Sequence, residues 1–338
     1  MTVSKAHTIA DLARIAGVDK STVSRALNDS PLIAAATKER IREIAEQHDF
    51  QMNVPAQRLS RRQSNVVGLV RFDWGKGLKM LDMFMLEIMG GISLGLSEHG
   101  YELLVLQAKI DDPTWASRYL ESGRADGFIM LSASCTPELL NDLGAARAPL
   151  VVWGAPAQNG DYSSVSGESF EGGRIATEYL LATGRRRIAF LGGPSSAAEV
   201  EDRRRGYEAA HAAAGLEADA ALAVHATWEQ PEASAAAAID TLFARDPAFD
   251  AVFANSDLFA LGAIDALRAH GRRVPEDVAV VGYDDISVAA YANPPLTTIR
   301  QDGLLIGTLL ARTLVQQLET GAVTNVTIPA ELVVRESA

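Results

Sequence analysis

Thr8-Ile9-Ala10-Asp11-Leu12-Ala13-Arg14-Ile15-Ala16-Gly17-Val18-Asp19-Lys20-Ser21-Thr22-Val23-Ser24-Arg25-Ala26-Leu27-Asn28 is the stretch that decides how this chain is read. Ile9, Leu12, Ala13 and Ala16 recur at three- and four-residue steps, the spacing of one helical face. Thr8 stands where an N-cap belongs, and Gly17 where a left-handed stop belongs. Asp19 reads as the N-cap of a second helix with Val23, Ala26 and Leu27 inside. The other face of that helix carries Lys20, Ser21, Thr22, Ser24 and Arg25. Asn28-Asp29-Ser30-Pro31 ends it, and residues 34–48 read as a third helix with Ile41, Ile44 and Ala45 inside. Two short helices joined by a tight glycine turn make a helix-turn-helix, whose second helix enters the major groove of DNA. The competing reading is a small helical cluster with a merely solvated outer face. Residue chemistry favours the groove. Hydroxyls at Thr22 and Ser24 suit phosphate oxygens, and Arg25 can reach guanine O6 and N7 with both arms of its fork.

Charge separates this segment from the rest. Across 338 residues, 31 basic side chains face 43 acidic ones, a net charge of −12. Residues 1–62 hold ten basic and seven acidic groups, a balance of +3. The remaining 276 residues hold 21 basic and 36 acidic groups, a balance of −15. Such asymmetry points to nucleic-acid contact by the basic part.

The 8–28 stretch closely resembles the DNA-binding headpiece of the LacI/GalR repressor family. The likeness continues through Thr37-Lys38-Glu39-Arg40-Ile41 and in Phe50, Asn53, Ala56 and Leu59. The resemblance implies that Lys20, Ser21 and Arg25 read bases, and that Thr22, Ser24 and Asn28 contact phosphates. Thr8, at the start of the first helix, belongs to the same DNA-facing set. Residues 1–52 would form the headpiece and 53–64 a hinge helix and linker. Asn53, Ala56 and Leu59 would lie against the minor groove, with Leu59 wedged between base pairs to kink the duplex. The hinge departs from the family pattern at Met52 and Gln57 and carries Pro55 within it. Proline is tolerated in a first helical turn, so a helix starting near Asn53 survives.

From residue 65 onward the chain alternates apolar runs with amphipathic stretches. Strands are expected at 66–72, 102–106, 127–131, 149–153, 187–191, 251–254 and 278–282. Helices are expected at 83–99, 137–143, 171–183, 202–214, 233–245 and 258–270. This alternation predicts an α/β fold with doubly wound parallel sheets. The resemblance extends over this region and implies two periplasmic-binding-protein-like lobes with an effector cleft between them. Lobe 1 is expected at about 65–162 and 295–323, and lobe 2 at about 163–294 and 324–338. The crossings are placed near Ser163, Pro294 and Thr324, each to within several residues.

Family-like segments cluster on the expected cleft side: Gly192-Gly193-Pro194-Ser195, Arg203–Tyr207, Ser256–Ala263, Val281-Gly282-Tyr283-Asp284-Asp285 and Pro295–Asp302. By position the resemblance makes Arg203, Trp228, Ser256, Asp284 and Gln301 the effector contacts. Asp257 is expected to cap its helix. A carboxylate, a guanidinium and a flat indole suit a mono- or oligosaccharide, with Trp74 and Trp153 as further stacking candidates. Competing roles are core packing for each tryptophan and a structural ion pair for Arg203 and Asp284. Gly192-Gly193 can also cradle a phosphate, which keeps a phosphosugar open. Glu168-Ser169-Phe170-Glu171-Gly172 departs from the family's usual pattern. Residues 82–87 loosely resemble members tied to α-glucoside and raffinose use.

Enzyme readings find little support. Gly91-Ile92-Ser93-Leu94-Gly95 matches the serine-hydrolase elbow, which needs a strand before the serine and a helix after it. Phe84, Ile88, Ile92 and Leu96 keep helical spacing on both sides, so Ser93 is expected inside a helix. The six histidines lack metal-ligand spacing, and the single cysteine, Cys135, supports neither a disulfide framework nor a cysteine zinc site. No cofactor or metal is expected. The amino terminus lacks an apolar signal core and no apolar run reaches membrane-span length, so a cytoplasmic protein without membrane contact is expected. The last residues, Arg335–Ala338, carry no leucine heptads, which favours a homodimer. The sequence thus predicts an operator-binding repressor whose partner DNA is released or held through a small effector. The alternative is a sugar-binding protein of transport type, which the first 62 residues contradict.

Overall fold

The computed structural model describes residues 8–27, 29–50, 64–73, 83–109, 112, 114–131, 137–154, 162–194, 197–245 and 248–338. The chain divides into two compact units, Met1–Ser64 and Asn65–Ala338.

The first unit holds α1 (Ile9–Ala16), α2 (Lys20–Leu27) and α3 (Ala35–Gln47). Thr8 caps α1 through a reciprocal box with Asp11. The Asp11 amide donates to the Thr8 hydroxyl at 3.2 Å, and the Thr8 amide donates to the Asp11 carboxylate at 3.1 Å. Gly17 ends the helix in the left-handed region, at φ 66°, where a side chain would be strained. Leu12, Ala13, Ala16, Val23, Ala26, Ile41 and Ala45 form the core of this unit, with Leu12, Val23 and Ala26 wholly buried.

The second unit runs β1 (Val66–Asp73), α4 (Met83–Ser97), β2 (Glu102–Lys109), α5 (Trp115–Glu121), β3 (Gly127–Leu131), α6 (Pro137–Ala145), β4 (Leu150–Trp153) and β5 (Ser163–Gly167). It continues with α7 (Ser169–Ala182), β6 (Ile188–Gly192), α8 (Ala198–Ala213), β7 (Ala223–His225), α9 (Pro231–Arg245), β8 (Ala251–Ala254) and α10 (Asp257–Ala269). It ends with β9 (Ala279–Asp284), β10 (Thr297–Arg300), α11 (Gly303–Thr320), β11 (Asn325–Ile328) and β12 (Glu331–Val333). The strands make two six-stranded sheets, ordered β11-β5-β4-β3-β1-β2 and β12-β10-β9-β8-β6-β7. The β10–β12 pair is antiparallel and the other pairings are parallel.

Each sheet is covered on both faces, which is why its central strands are apolar throughout. In the first sheet, Val70, Phe128, Met130 and Val152 pack toward Trp115, while Leu69, Ile129, Val151 and Val165 pack toward α4 and α11. In the second, Leu191, Val252 and Val280 meet Ile239, Phe259 and Leu267 of α9 and α10. The opposite face sets Phe190, Phe253 and Tyr283 against Leu180 and Tyr207 of α7 and α8.

The chain crosses between sheets after Gly167, after Arg300 and after Ile328. These points fall several residues beyond the expected ones near Ser163, Pro294 and Thr324. They lie within the several residues allowed for the approximate lobe boundaries at 162/163, 294/295 and 323/324. β5 reads Ser-Ser-Val-Ser-Gly and lacks an apolar run, yet it is a sheet strand because its buried hydroxyls are paired. The Ser164 hydroxyl donates to Asn325 Oδ1 at 2.8 Å, and the Thr324 amide donates to Ser163 Oγ at 3.1 Å. Pro294 marks a turn within lobe 2, since Leu296 enters that lobe's core and Thr297 pairs with Val281. The sequence reading also missed α11, the longest helix among the described residues.

Candidate functional site

The expected DNA-reading surface falls on α2. Lys20, Ser21 and Arg25 are exposed, Thr22 and Ser24 half-buried, and Val23 and Ala26 buried against α1 and α3. The helix starts on the Asp19 carbonyl, which accepts from the Thr22 and Val23 amides at 3.0 and 3.1 Å. Past its end, Asp29 takes a left-handed φ of 55°. The Lys38 ammonium donates to both the carboxylate and the carbonyl of Asp29, each at 3.0 Å, and Arg42 reaches the same carboxylate at 2.9 Å. The Lys38 bond, ahead of the Arg42 contact, holds the Asp29 carboxyl below its ordinary pKa. Arg40 donates to the Ala16 carbonyl at the end of α1. The basic groups of α3 thus hold the ends of α1 and α2, leaving Lys20 and Arg25 as the outward cations of α2. Thr8 serves as a helix cap. Asn28, Asn53, Ala56 and Leu59, with the rest of the hinge, lie outside the described residues.

The effector expectation falls on the carboxyl edge of the second sheet. Its strand order makes β6 and β8 neighbours, while the helices that follow them, α8 and α10, cover opposite faces. Such a switch point opens a crevice where α/β sheets bind ligands. Arg203 on α8 is 5% exposed, and its Nη1 donates to the Asn255 carbonyl just after β8 at 2.6 Å. Its guanidinium carbon sits 3.6 Å from the centre of the Tyr283 ring. Gly172 makes room for that tyrosine, because a Cβ there would stand 2.3 Å from the phenol oxygen.

Asp284 ends β9 at φ 117°, an unusual backbone for a side-chain-bearing residue. Gln301 explains how it is held: its Nε2 donates to Asp284 Oδ1 at 2.7 Å, and its amide donates to the Asp284 carbonyl at 3.0 Å. Gln301 also faces lobe 1, since a Cβ on Gly167 would lie 3.1 Å from its Oε1 and 3.8 Å from Trp153. Trp228 stacks on Phe259 at 4.5 Å and 18°, half-buried. Gly193 lets the indole lie against the end of β6, where a Cβ would be 3.1 Å away. Trp153 meets Phe84 edge-on at 6.5 Å, and Trp74 lies outside the described residues.

The helix-cap role differs from expectation. Ser256, not Asp257, caps α10, its hydroxyl accepting from the Phe259 amide at 3.3 Å. Asp257 is wholly buried, accepting from the Ile286 amide at 2.9 Å and the Thr298 hydroxyl at 2.5 Å. Burial, with the Asp284 charge adding to it, pushes its carboxyl well above the usual carboxylate range. The extended backbone at Ser256 starts the helix one residue before the sequence periodicity does. Sequence reasoning also passed over Tyr283 as the platform for Arg203 and Asn255 as the polar residue between them and α10. Its available signal was Asn255 directly after a buried apolar strand.

The hydrolase-like Gly91-Ile92-Ser93-Leu94-Gly95 lies within α4, with Ser93 exposed. Its glycines serve packing: Cβ atoms on Gly91 and Gly95 would meet α11 at Leu304 and Ala311. Among the described residues no cluster of histidine, cysteine or carboxylate side chains could hold a metal ion. No helix among them is long and apolar enough to cross a membrane.

Comparison with known proteins follows the same division of the chain. Residues 8–53 match the family described as bacterial regulatory proteins, lacI family, and residues 177–338 match the periplasmic binding protein-like domain. The HTH-type transcriptional regulator CelR of Thermobifida fusca is 36% identical over 335 residues, covering 98% of either chain. The HTH-type transcriptional repressor PurR of Aliivibrio fischeri is 30% identical over 319 residues, covering 92% of either chain. Among solved structures, a transcriptional regulator CelR–cellobiose complex is similar at 35% identity and TM-score 0.72, covering 98% of this chain and 100% of that one. The lac repressor dimer bound to operator and the anti-inducer ONPF is similar at 26% identity and TM-score 0.82, covering 98% and 99%.

Proposed function

The chain belongs to the lacI family of bacterial regulatory proteins, and from that premise we propose that it is a cytoplasmic, homodimeric repressor whose operator affinity is set by a sugar. The observation that carries the DNA half is the division of α2, with Lys20, Ser21 and Arg25 outward and Val23 and Ala26 buried. Arg25 and Lys20 supply groove and phosphate contacts, and the dimer reads a pseudo-palindrome with one α2 per half-site. Leu59 supplies the minor-groove wedge. The surplus acid of residues 63–338 repels phosphate, which confines DNA contact to the headpiece and hinge.

Arg203, Asp284, Gln301 and Trp228 gather at the carboxyl edge of one sheet, a polar set beside a flat apolar face. The relative solved with cellobiose makes a β-linked glucose disaccharide the first effector to test, ahead of the α-glucosides suggested by residues 82–87. Ligand acts by binding one arrangement of the lobes more tightly than the other, since equal affinity for both would shift nothing. The test is a gel shift on DNA upstream of the gene, with and without cellobiose. Binding to a pseudo-palindromic site that cellobiose strengthens or weakens is expected. Sugar binding with no DNA binding at low salt would instead favour the transport-type reading.

A further inference from the structure

A carboxylate stands at the end of α2. Asp29 lies two residues past the helix, and its turn closes on the last helical carbonyls. The Asp29 amide donates to the Ala26 carbonyl at 3.1 Å, and the Ser30 amide donates to the Arg25 carbonyl at 2.9 Å. The Asp29 side chain is 70% exposed, so its charge stands at the surface beside a residue expected to read a base. Two cations of α3 come to it. Lys38 is drawn in to 16% exposure, its ammonium 3.0 Å from Asp29 Oδ1 and 3.0 Å from the Asp29 carbonyl. Arg42 reaches the same Oδ1 at 2.9 Å and lies 3.9 Å from Glu39.

Stability is a poor explanation for this cluster, because exposed ion pairs contribute little. The backbone does not require the carboxylate either: asparagine takes the left-handed φ of 55° as readily as aspartate. An acid beside a DNA-reading helix is also repelled by phosphate. Its effect on the neighbouring cations remains. A lysine or arginine that meets a phosphate releases counterions on any duplex, which adds affinity and carries no sequence information.

We propose that Asp29 is a specificity-determining residue, which holds Lys38 and Arg42 off the phosphates and so suppresses sequence-independent DNA binding. The proposal rests on the DNA-binding reading given above. With those two cations tied to Asp29, Lys20 and Arg25 remain the outward cations of α2. On a matched site, base contacts fix the register, and a freed cation gains only what that register offers. On random DNA every orientation that reaches a phosphate is open to it, so the brake acts most where specificity needs it.

The full-length, sugar-free protein is titrated by fluorescence anisotropy on a random-sequence duplex and on the pseudo-palindromic duplex from upstream of the gene, over a range of salt. Wild type is compared with Asp29→Asn and with a triple variant that adds Lys38→Gln and Arg42→Gln. Asp29→Asn is expected to bind the random duplex at least about threefold more tightly at low salt. Its log–log salt dependence is expected to steepen by about one for each headpiece engaged. The gain on the upstream duplex is expected to be smaller, so the ratio of the two affinities falls. In the triple variant the salt dependence on random DNA is expected to return to the wild-type value. Unchanged affinity and slope on random DNA in Asp29→Asn would overturn the proposal, as would an equal gain on both duplexes. A steeper slope that persists in the triple variant would place the effect elsewhere than on Lys38 and Arg42, which also overturns it. Weaker binding to both duplexes with a lower melting temperature would show that the carboxylate supports the headpiece fold instead. A wild-type chain that binds neither duplex at low salt would remove the DNA-binding reading and this proposal with it.

Discussion

Gly91 of α4 meets Leu304 of α11 backbone to backbone: a Cβ on Gly91 would stand 2.2 Å from the Leu304 carbonyl oxygen. Gly307 completes the seam from the other side, where a Cβ would be 2.1 Å from the Ile88 carbonyl. Gly90, one residue earlier, is exposed with nothing within 4 Å of its missing Cβ. The neighbours therefore respond in opposite directions. Gly91→Ala must push the helices apart and is expected to cost about 1–3 kcal/mol or more. Gly90→Ala replaces a poor helix former without a clash and is expected to stabilise by about 0.5–1 kcal/mol. Urea unfolding of both variants checks the pair, and two changes of the same sign would refute this account of the seam.

Arg203 cannot be replaced by lysine without loss. Its guanidinium lies over Tyr283 while donating to Asn255, and a lysine ammonium cannot stack flat and keep that directed bond together. Arg203→Lys is expected to weaken effector binding by at least about tenfold while leaving sugar-free operator binding intact. Titration with the effective sugar and a gel shift on the same preparation separate the two properties. Equal sugar affinity in the variant would sink the role.

Much of this molecule was legible before its coordinates, and the exceptions share a cause. Helix-turn-helix spacing and the apolar strands β1, β3, β4 and β8 stand out because burial on one face or both leaves a periodic or continuous apolar signal. β5 was missed because its buried Ser163 and Ser164 are satisfied by partners 161 residues away, a pairing that leaves no local trace. The same holds at the site. Arg203, Asp284 and Gln301 were picked out by motif as expected contacts, whereas the stacking of Arg203 on Tyr283 and its bond to the Asn255 carbonyl exist only once α8 and β8 are neighbours.

The proposed recognition by α2 predicts a split between specific and general affinity. Arg25→Ala is expected to cost about 1–3 kcal/mol on the operator and little on random DNA, since a base contact carries sequence information. The side chain is exposed, so the headpiece core of Leu12, Val23 and Ala26 is untouched. Leu59→Ala is expected to weaken operator binding with effector affinity unchanged, the signature of a lost wedge. Fluorescence anisotropy on operator and scrambled duplexes at two salt concentrations measures both. An equal loss on both duplexes for Arg25→Ala would reassign it to phosphate binding.

Asp257 ties three elements of lobe 2 together, from the start of α10 to the Ile286 amide and the Thr298 hydroxyl on β10. Gly282 packs on it so closely that a Cβ would lie 2.3 Å from its Oδ1. Burial first, then the charges of Asp284 and Asp285, raise its carboxyl well above 3.8. The sign follows from linkage. Between the ordinary carboxylate range and the raised value, the folded chain keeps a proton that the unfolded chain has lost. Stability from this group is therefore greatest at the acidic side of that window and falls as pH rises through it. Asp257→Asn removes the titration. The melting temperature of wild type minus that of the variant is expected to fall as pH rises above the ordinary carboxylate range. Glu87, raised by burial and by Asp302 and Asp285, titrates in the same sense but is present in both proteins and cancels from the difference. A difference that stays flat or grows with pH would show that Asp257 ionises as an ordinary carboxylate despite its burial.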